Sequence, residues 1–309
     1  MSLAFVFPGQ GSQSIGMLKD IADAEPVVTD TFKLASDALG YDLWEITQQG
    51  PQEKLNSTDI TQPALLAAGV ACWKVWQQKG GPTPIMLAGH SLGEYSALVC
   101  AGVLDFADAI NLVEVRGQFM QQAVPEGQGG MAAILGLDDA KVLEACEQAA
   151  ESDVLQAVNY NSPGQVVVAG SKSAIERVVI VAKEMGAKRA LPLPVSVPSH
   201  CDLMKPAAEQ LAEKLKSVTF NAASIPVINN VDVIAETDAD KIRDALVRQL
   251  YKPVRWVEVI SKMAEEGVDQ LIECGPGRVL VGLNKRIDKS MSAAAIFDPA
   301  SFDKALASE

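Results

Sequence analysis

The segment IMLAGHSLGEYSALVC, residues 85–100, constrains the fold more than any other stretch. A short apolar run, Ile85 to Ala88, leads straight into Gly89-His90-Ser91-Leu92-Gly93, and helix-like sequence follows to about Val124 with a break near Gly102. Strand, sharp turn and helix around G-x-S-x-G make a nucleophile elbow. The glycines let the backbone crowd at the turn. The serine is thrust out at the carboxyl end of the strand, and the helix N-terminus behind it offers free N–H groups. A serine that caps a helix would use the same residue types; the strand before it and the helix after it favour the elbow.

The rest of the chain alternates in the same manner. Leu3 to Phe7 predicts a buried strand running into the Gly-rich turn PGQGSQ, and Gln62 to Trp76 a helix with Pro63 in its first turn, ended by Gly80, Gly81 and Pro82. After the middle of the chain, residues 203–215 read as helix, 225–230 as strand, 238–251 as helix, 269–274 as strand and 279–287 as helix. Such alternation gives an α/β fold: a mostly parallel sheet with helices on both faces. The middle has a different rhythm. Strands at 131–135, 154–159, 165–170 and 187–195, with helices at 138–150 and 173–185, follow the order β-α-β-β-α-β, a split βαβ unit of the ferredoxin-like kind. Gly/Pro-rich segments at 125–130 and 191–199 bracket it. The expected organisation is one large domain from 1–126 and 198–309, with 127–197 as an inserted subdomain.

Charge and cysteine content narrow the function classes. The 39 acidic residues against 26 basic ones leave a net charge of −13, without the basic block that phosphate contacts require. Nucleic acid is therefore not an expected partner. No apolar run approaches the ~20 residues of a membrane span, and the N-terminus lacks a basic region followed by a long apolar one, so no signal peptide is expected. Five cysteines, odd in number and without CxxC, suit reduced thiols in a cytoplasm.

A serine hydroxyl needs a base, and the chain has two histidines, His90 and His200. His90 adjoins Ser91, and successive side chains at a strand end diverge; it suits a packed or hydrogen-bonded position beneath the turn. His200, in the loop VPSHC, is the candidate base. Cys201 beside it reads as core. No acid follows in an obvious triad position, since Asp202 is too near His200 in the chain to be assumed its orienter. A carbonyl holding the imidazole would leave a dyad.

The helix from Asp105 carries a charge on its apolar side. Phe106, Ala109, Ile110, Val113, Gly117, Met120 and Val124 form one stripe, and Arg116 falls roughly 50° from its centre. An inward guanidinium is costly unless paired. A snorkelling arginine or an internal salt bridge would satisfy it; so would a substrate carboxylate, which the guanidinium fork grips bidentately. In the turn PGQGSQ, Gly9, Gly11 and Ser14 lack the last glycine of a dinucleotide motif, and no GK[ST] follows. The alternative use is as an oxyanion donor. The N–H groups of Gln10 and Leu92 form the natural pair.

Taken together, FVFPGQGSQ, GHSLGEYSA, VEVRGQFMQ, NSPGQVVVAG, the VPSH loop and CGPGRVLVGL resemble the malonyl-CoA:acyl carrier protein transacylases of bacterial type II fatty-acid synthesis, from Ala4 to Ile287. The polyketide-synthase acyltransferase domains are more distant relatives. The resemblance implies a hydrolase-like core with a ferredoxin-like insertion, a nucleophile at Ser91 and a base at His200. It also implies that Arg116 holds the malonyl carboxylate, that Gln10 and Leu92 form the oxyanion hole, and that the main-chain carbonyl of Gln249 orients the histidine.

The implied reaction is ping-pong malonyl transfer from malonyl-CoA to the phosphopantetheine thiol of acyl carrier protein, with no resident cofactor or metal, in the cytoplasm. Acyl carrier proteins are acidic, so docking on this acidic chain needs a local basic surface; Lys188, Arg189, Lys285 and Arg286 are the candidates. No heptad pattern points to obligate assembly, and a monomer is expected. Two rivals stand beside this reading: a serine esterase or thioesterase of the same fold, and a non-catalytic acyl-binding module.

Overall fold

The computed structural model describes residues 2–195 and 197–307. Met1, Ser196, Ser308 and Glu309, which the expected domain ranges include, lie outside the described residues. Among the described residues nine strands form two sheets: β1 (Leu3–Phe7), β2 (Met86–Gly89), β3 (Gly129–Leu135), β4 (Leu155–Ser162), β5 (Gln165–Ser171), β6 (Arg189–Pro192), β7 (Val227–Ile228), β8 (Gln270–Cys274) and β9 (Ser292–Ile296).

The larger sheet has the order β7-β2-β1-β8-β9, and every neighbouring pair is parallel. Parallel neighbours need crossover connections, and helices supply them on both faces. The central strand LAFVF shows the consequence. It is buried on both faces and apolar throughout, with Leu3, Phe5 and Phe7 entering one core cluster and Ala4 and Val6 another. The first cluster packs against the long helix Thr58–Gln78, where Trp73 and Trp76 meet Phe5 edge-on with ring centroids 5.3 and 5.2 Å away. The second packs against the helix Trp256–Glu265 and the helix Val279–Ile287.

The smaller sheet has the order β4-β5-β3-β6 and is antiparallel throughout. Helices Asp139–Ala150 and Lys172–Glu184 cover one face through Val142, Ala145, Ile175 and Val178. The other face carries Met131, Val158, Val167 and Ala169, packed with Cys201. It turns toward the carboxyl ends of β1 and β2, so the two sheets together frame one cleft.

Several elements differ from the sequence expectation. The helix expected from Gln62 begins at Thr58, which places Pro63 inside it rather than in its first turn. The strand expected over 187–195 pairs only at Arg189–Pro192, because Pro192 and Pro194 have no N–H for a ladder. The strand expected over 225–230 is reduced to two residues at the edge of the sheet. Helices between Lys19 and Leu55, the helix Trp256–Glu265, β9 and the helix Pro299–Leu306 occupy segments to which the sequence reading assigned nothing.

Candidate active site

The elbow is built by exclusion of side chains. A Cβ on Gly89 would lie 1.8 Å from the carbonyl carbon of Gly93, and one on Gly93 would lie 2.1 Å from the carbonyl oxygen of Phe7. The helix Gly93–Cys100 therefore starts directly against β1 and β2. Ser91, between them, has φ 52°, a left-handed conformation that costs a non-glycine residue about 1–3 kcal/mol. Its backbone is fastened on both sides: Ser91 N–H donates to Asn230 Oδ1 at 2.7 Å, and Gln249 Nε2 donates to Ser91 O at 3.1 Å.

His200 also has positive φ, 67°, and its N–H donates to Leu250 O at 2.9 Å. The side chain is buried between two partners. Nδ1 lies 2.6 Å from the main-chain oxygen of Gln249, which can only accept, so Nδ1 carries the proton. Nε2 then presents its lone pair to Ser91 Oγ at 2.8 Å. Burial, and secondly the Arg116 charge, pull the imidazole pKa down to about 3; the bond to Gln249 opposes them. The ring is neutral at pH 7 and able to take a proton. Among the described residues no acidic side chain is hydrogen-bonded to it.

Arg116 is 1% exposed. Its Nη1 donates to Gln62 Oε1 at 2.7 Å and its Nη2 to Gln249 Oε1 at 3.0 Å; Nη2 also stands 3.5 Å from Ser91 Oγ. The guanidinium carbon sits 5.3 Å from the ring centroid of Tyr95, whose hydroxyl pKa burial raises to about 12. Nε is buried without a hydrogen-bond partner among the described residues. The helix Phe106–Ala123 thus delivers a cation, held by neutral amides, to Ser91 Oγ.

A cavity joins these groups. Gln10, Leu92, Gln62, Ser91, Arg116 and His200 line its inner end; Met131, Asn159, Leu193 and Val197 line the side formed by the small sheet and the irregular segment after β6. The N–H groups of Gln10 and Leu92 have no hydrogen-bond partner among the described residues. The turn carrying Gln10 abuts the elbow, since a Cβ on Gly9 would lie 2.5 Å from His90 O.

His90 faces away from Ser91. Its Nε2 donates to Asn161 Oδ1 at 2.8 Å, its ring packs on Trp256, and burial lowers its pKa. The Cys201 thiol is buried and donates to Pro198 O; burial raises its pKa to about 12, which leaves it unreactive. Lys188, Arg189, Lys285 and Arg286 are exposed and do not line the cavity. Leu135 pairs with both Arg189 and Gln165, and Arg286 Nη1 donates to Gln165 Oε1 at 2.7 Å, so three of these cations share one end of the small sheet.

Sequence reasoning missed Gln62, Glu94, Tyr95, Asn161 and Asn230. Glu94 had a visible signal, a carboxylate among apolar residues in GEYSALVC. Asn230 had none; it reaches Ser91 from 139 positions away.

The acyl transferase domain model matches residues 4–297. The malonyl CoA-acyl carrier protein transacylase of Escherichia coli strain K12 is 64% identical over 303 residues, 98% of each chain. A crystal structure of an acyl carrier protein S-malonyltransferase from Vibrio cholerae superposes with a TM-score of 0.96 at 62% identity, covering 99% of this chain and 100% of that one. A malonyl-transacylase solved in complex with its type II polyketide-synthase acyl-carrier protein superposes with a TM-score of 0.99 at 60% identity, covering both chains completely.

Proposed function

This chain belongs to the acyl transferase family, among the malonyl CoA-acyl carrier protein transacylases, and on that premise we propose that it moves a malonyl group from malonyl-CoA to the phosphopantetheine thiol of acyl carrier protein through an ester on Ser91. The observation that carries this reading is the alignment of Ser91 Oγ, His200 and the Gln249 carbonyl beside the buried cation of Arg116.

In the first half-reaction His200 Nε2 takes the hydroxyl proton as Ser91 Oγ attacks the thioester carbonyl carbon. The N–H groups of Gln10 and Leu92 hold the oxyanion; one such donor is typically worth about 10²–10³ in rate. The intermediate collapses, the C–S bond breaks, and His200 returns the proton to the departing CoA sulfur. In the second half the carrier thiol gives its proton to His200 and attacks the ester carbonyl, and Ser91 leaves with that proton. The main-chain oxygen of Gln249 fixes the tautomer that makes both transfers possible. Arg116 receives the malonyl carboxylate, the only charged group that distinguishes malonyl from acetyl.

The strand order of the small sheet, with the segment's own two helices on one face, supports reading 127–197 as a ferredoxin-like insertion that walls the cavity. We read the enzyme as a cytoplasmic monomer that meets its carrier transiently, with no resident cofactor.

Intact-mass analysis after mixing with malonyl-CoA is the direct test. The chain should gain ~86 Da and Ser91→Ala should not, as nucleophilic catalysis requires. Release of CoA that continues at the same rate without carrier protein would instead indicate a thioesterase. Binding without a mass change would indicate a non-catalytic module.

A further inference from the structure

Glu94 is 2% exposed, and its carboxylate stands one residue removed from Ser91, Arg116 and His200. Its Oε2 accepts the N–H of Asn230 at 2.9 Å and Nε2 of Gln249 at 2.8 Å. Asn230 in turn accepts from Ser91 N–H and donates through Nδ2 to Gly89 O at 2.7 Å. Gln249 donates to Ser91 O, accepts from Arg116 and supplies the carbonyl for His200. An acid in the first turn of a helix is common, because it offsets the helix dipole at the surface. Glu94 is not at the surface, and its partners come from 136 and 155 positions away. Burial raises its carboxyl pKa to about 7 against the opposing pull of Gln249, Asn230 and Arg116, so the site keeps an acid there at a cost.

We infer that Glu94 is a positioning residue for acyl transfer: through Asn230 and the side-chain amide of Gln249 it clamps the left-handed backbone of Ser91 on both flanks and aims the amide oxygen of Gln249 at Arg116. The second function follows from amide chemistry. Gln249 can present its oxygen to the guanidinium only while its NH₂ has acceptors on the other side, and Glu94 Oε2 and Ser91 O are those acceptors.

This inference rests on Ser91 being the acylated residue, so the parent's gain in mass is established first. Glu94→Leu then removes the acceptor while keeping an apolar side chain of similar size. Acyl-enzyme formation from malonyl-CoA, measured in single turnovers, should fall about 100-fold, the usual cost of misplacing a reacting group. The preference for malonyl-CoA over acetyl-CoA should fall about tenfold as Arg116 loses its fixed amide; a merely structural defect would lower both substrates together. Glu94→Gln, whose carbonyl can accept both bonds, should restore the preference. If the leucine variant does not fold, Asn230→Ala decides. It cuts only the arm to the elbow, so acylation should slow at least tenfold with the malonyl preference unchanged. Acylation within threefold of the parent in the leucine variant, or in Asn230→Ala, overturns the inference; so does an unchanged preference in the leucine variant.

Discussion

Arg116 Nη2 stands 3.5 Å from Ser91 Oγ, and among the described residues the guanidinium is bonded to the amide oxygens of Gln62 and Gln249 but to no carboxylate. On the proposed function, the terminal carboxylate of an acyl group on Ser91 would supply the anion that these neutral acceptors do not. Arg116→Ala is expected to reduce malonyl loading by about 100-fold or more while changing acetyl loading far less, because a site built around a polar partner rejects ligands that leave it unpaired. Initial rates with malonyl-CoA and acetyl-CoA in parallel check this. Equal losses would remove the carboxylate role.

His200 gives a signed pH dependence. Its folded pKa, about 3, lies below the ordinary imidazole value of 6.5. A group depressed on folding contributes stability that is complete above the unfolded pKa and is lost as pH falls toward the folded one. The stability advantage of the parent over His200→Gln should therefore shrink as pH drops from about 6.5 toward 3. Glu94, raised to about 7, acts in the opposite direction, its stabilising contribution fading as pH rises from the ordinary 4.5 to 7. Comparing parent and variant at each pH cancels it. Thermal unfolding from pH 4 to 8 provides the measurement, and a constant difference would contradict a neutral buried His200. A substrate carboxylate on Arg116 also removes part of the depression. The acid limb of kcat should then lie at higher pH than that of kcat/KM.

The candidate site was legible in the sequence where it depends on scarcity and local motif. Ser91 sits in a turn that only small neighbours permit, and with two histidines in the chain, elimination leaves His200. Arg116 was legible because helical periodicity turns a charge inward. Gln249 entered only through the resemblance, since a main-chain carbonyl leaves no residue-type signature. Asn230 and Gln62 were illegible for a related reason: their roles exist only after distant segments meet. The fold follows the same division. The five apolar residues of β1 announce a central parallel strand. β9, Ser-Ala-Ala-Ala-Ile, has too few β-branched residues to do so and is fixed by its parallel register along β8.

The elbow should tolerate no added carbon. In Gly93→Ala the new Cβ would meet Phe7 O at 2.1 Å, and the main chain of Phe7 and Pro8 blocks its relief. Overpacking of this kind costs about 1–3 kcal/mol even where side chains can yield, and here the obstacle is main chain. Chemical denaturation should show a loss at or above that range, with acyl-enzyme formation impaired in the folded fraction. A variant of parental stability and rate would show that the helix can withdraw from the sheet. Gly282, where an added Cβ meets nothing within 4 Å, provides the control.

Carrier docking gives the last prediction. A net charge of −13 opposes approach of an acidic partner, so association requires a surface where the local sign is reversed. Arg189 and Arg286 are brought to one end of the small sheet through Leu135 and Gln165, beside Lys188 and one residue from Lys285. That end lies four residues along β3 from Met131, about 13 Å at the usual rise, and Met131 lines the cavity. A carrier bound there would stand outside the cleft with its prosthetic arm directed inward. Reversing both charges, Arg189→Glu with Arg286→Glu, should raise KM for carrier protein about tenfold at low ionic strength. KM for malonyl-CoA and the rate of acyl-enzyme formation should be unchanged. The difference should fade as salt rises, since screening shortens from about 10 Å at 0.1 M to about 3 Å at 1 M. If KM for malonyl-CoA rises instead, the patch serves the nucleotide end of the donor, and carrier docking must be sought on another face.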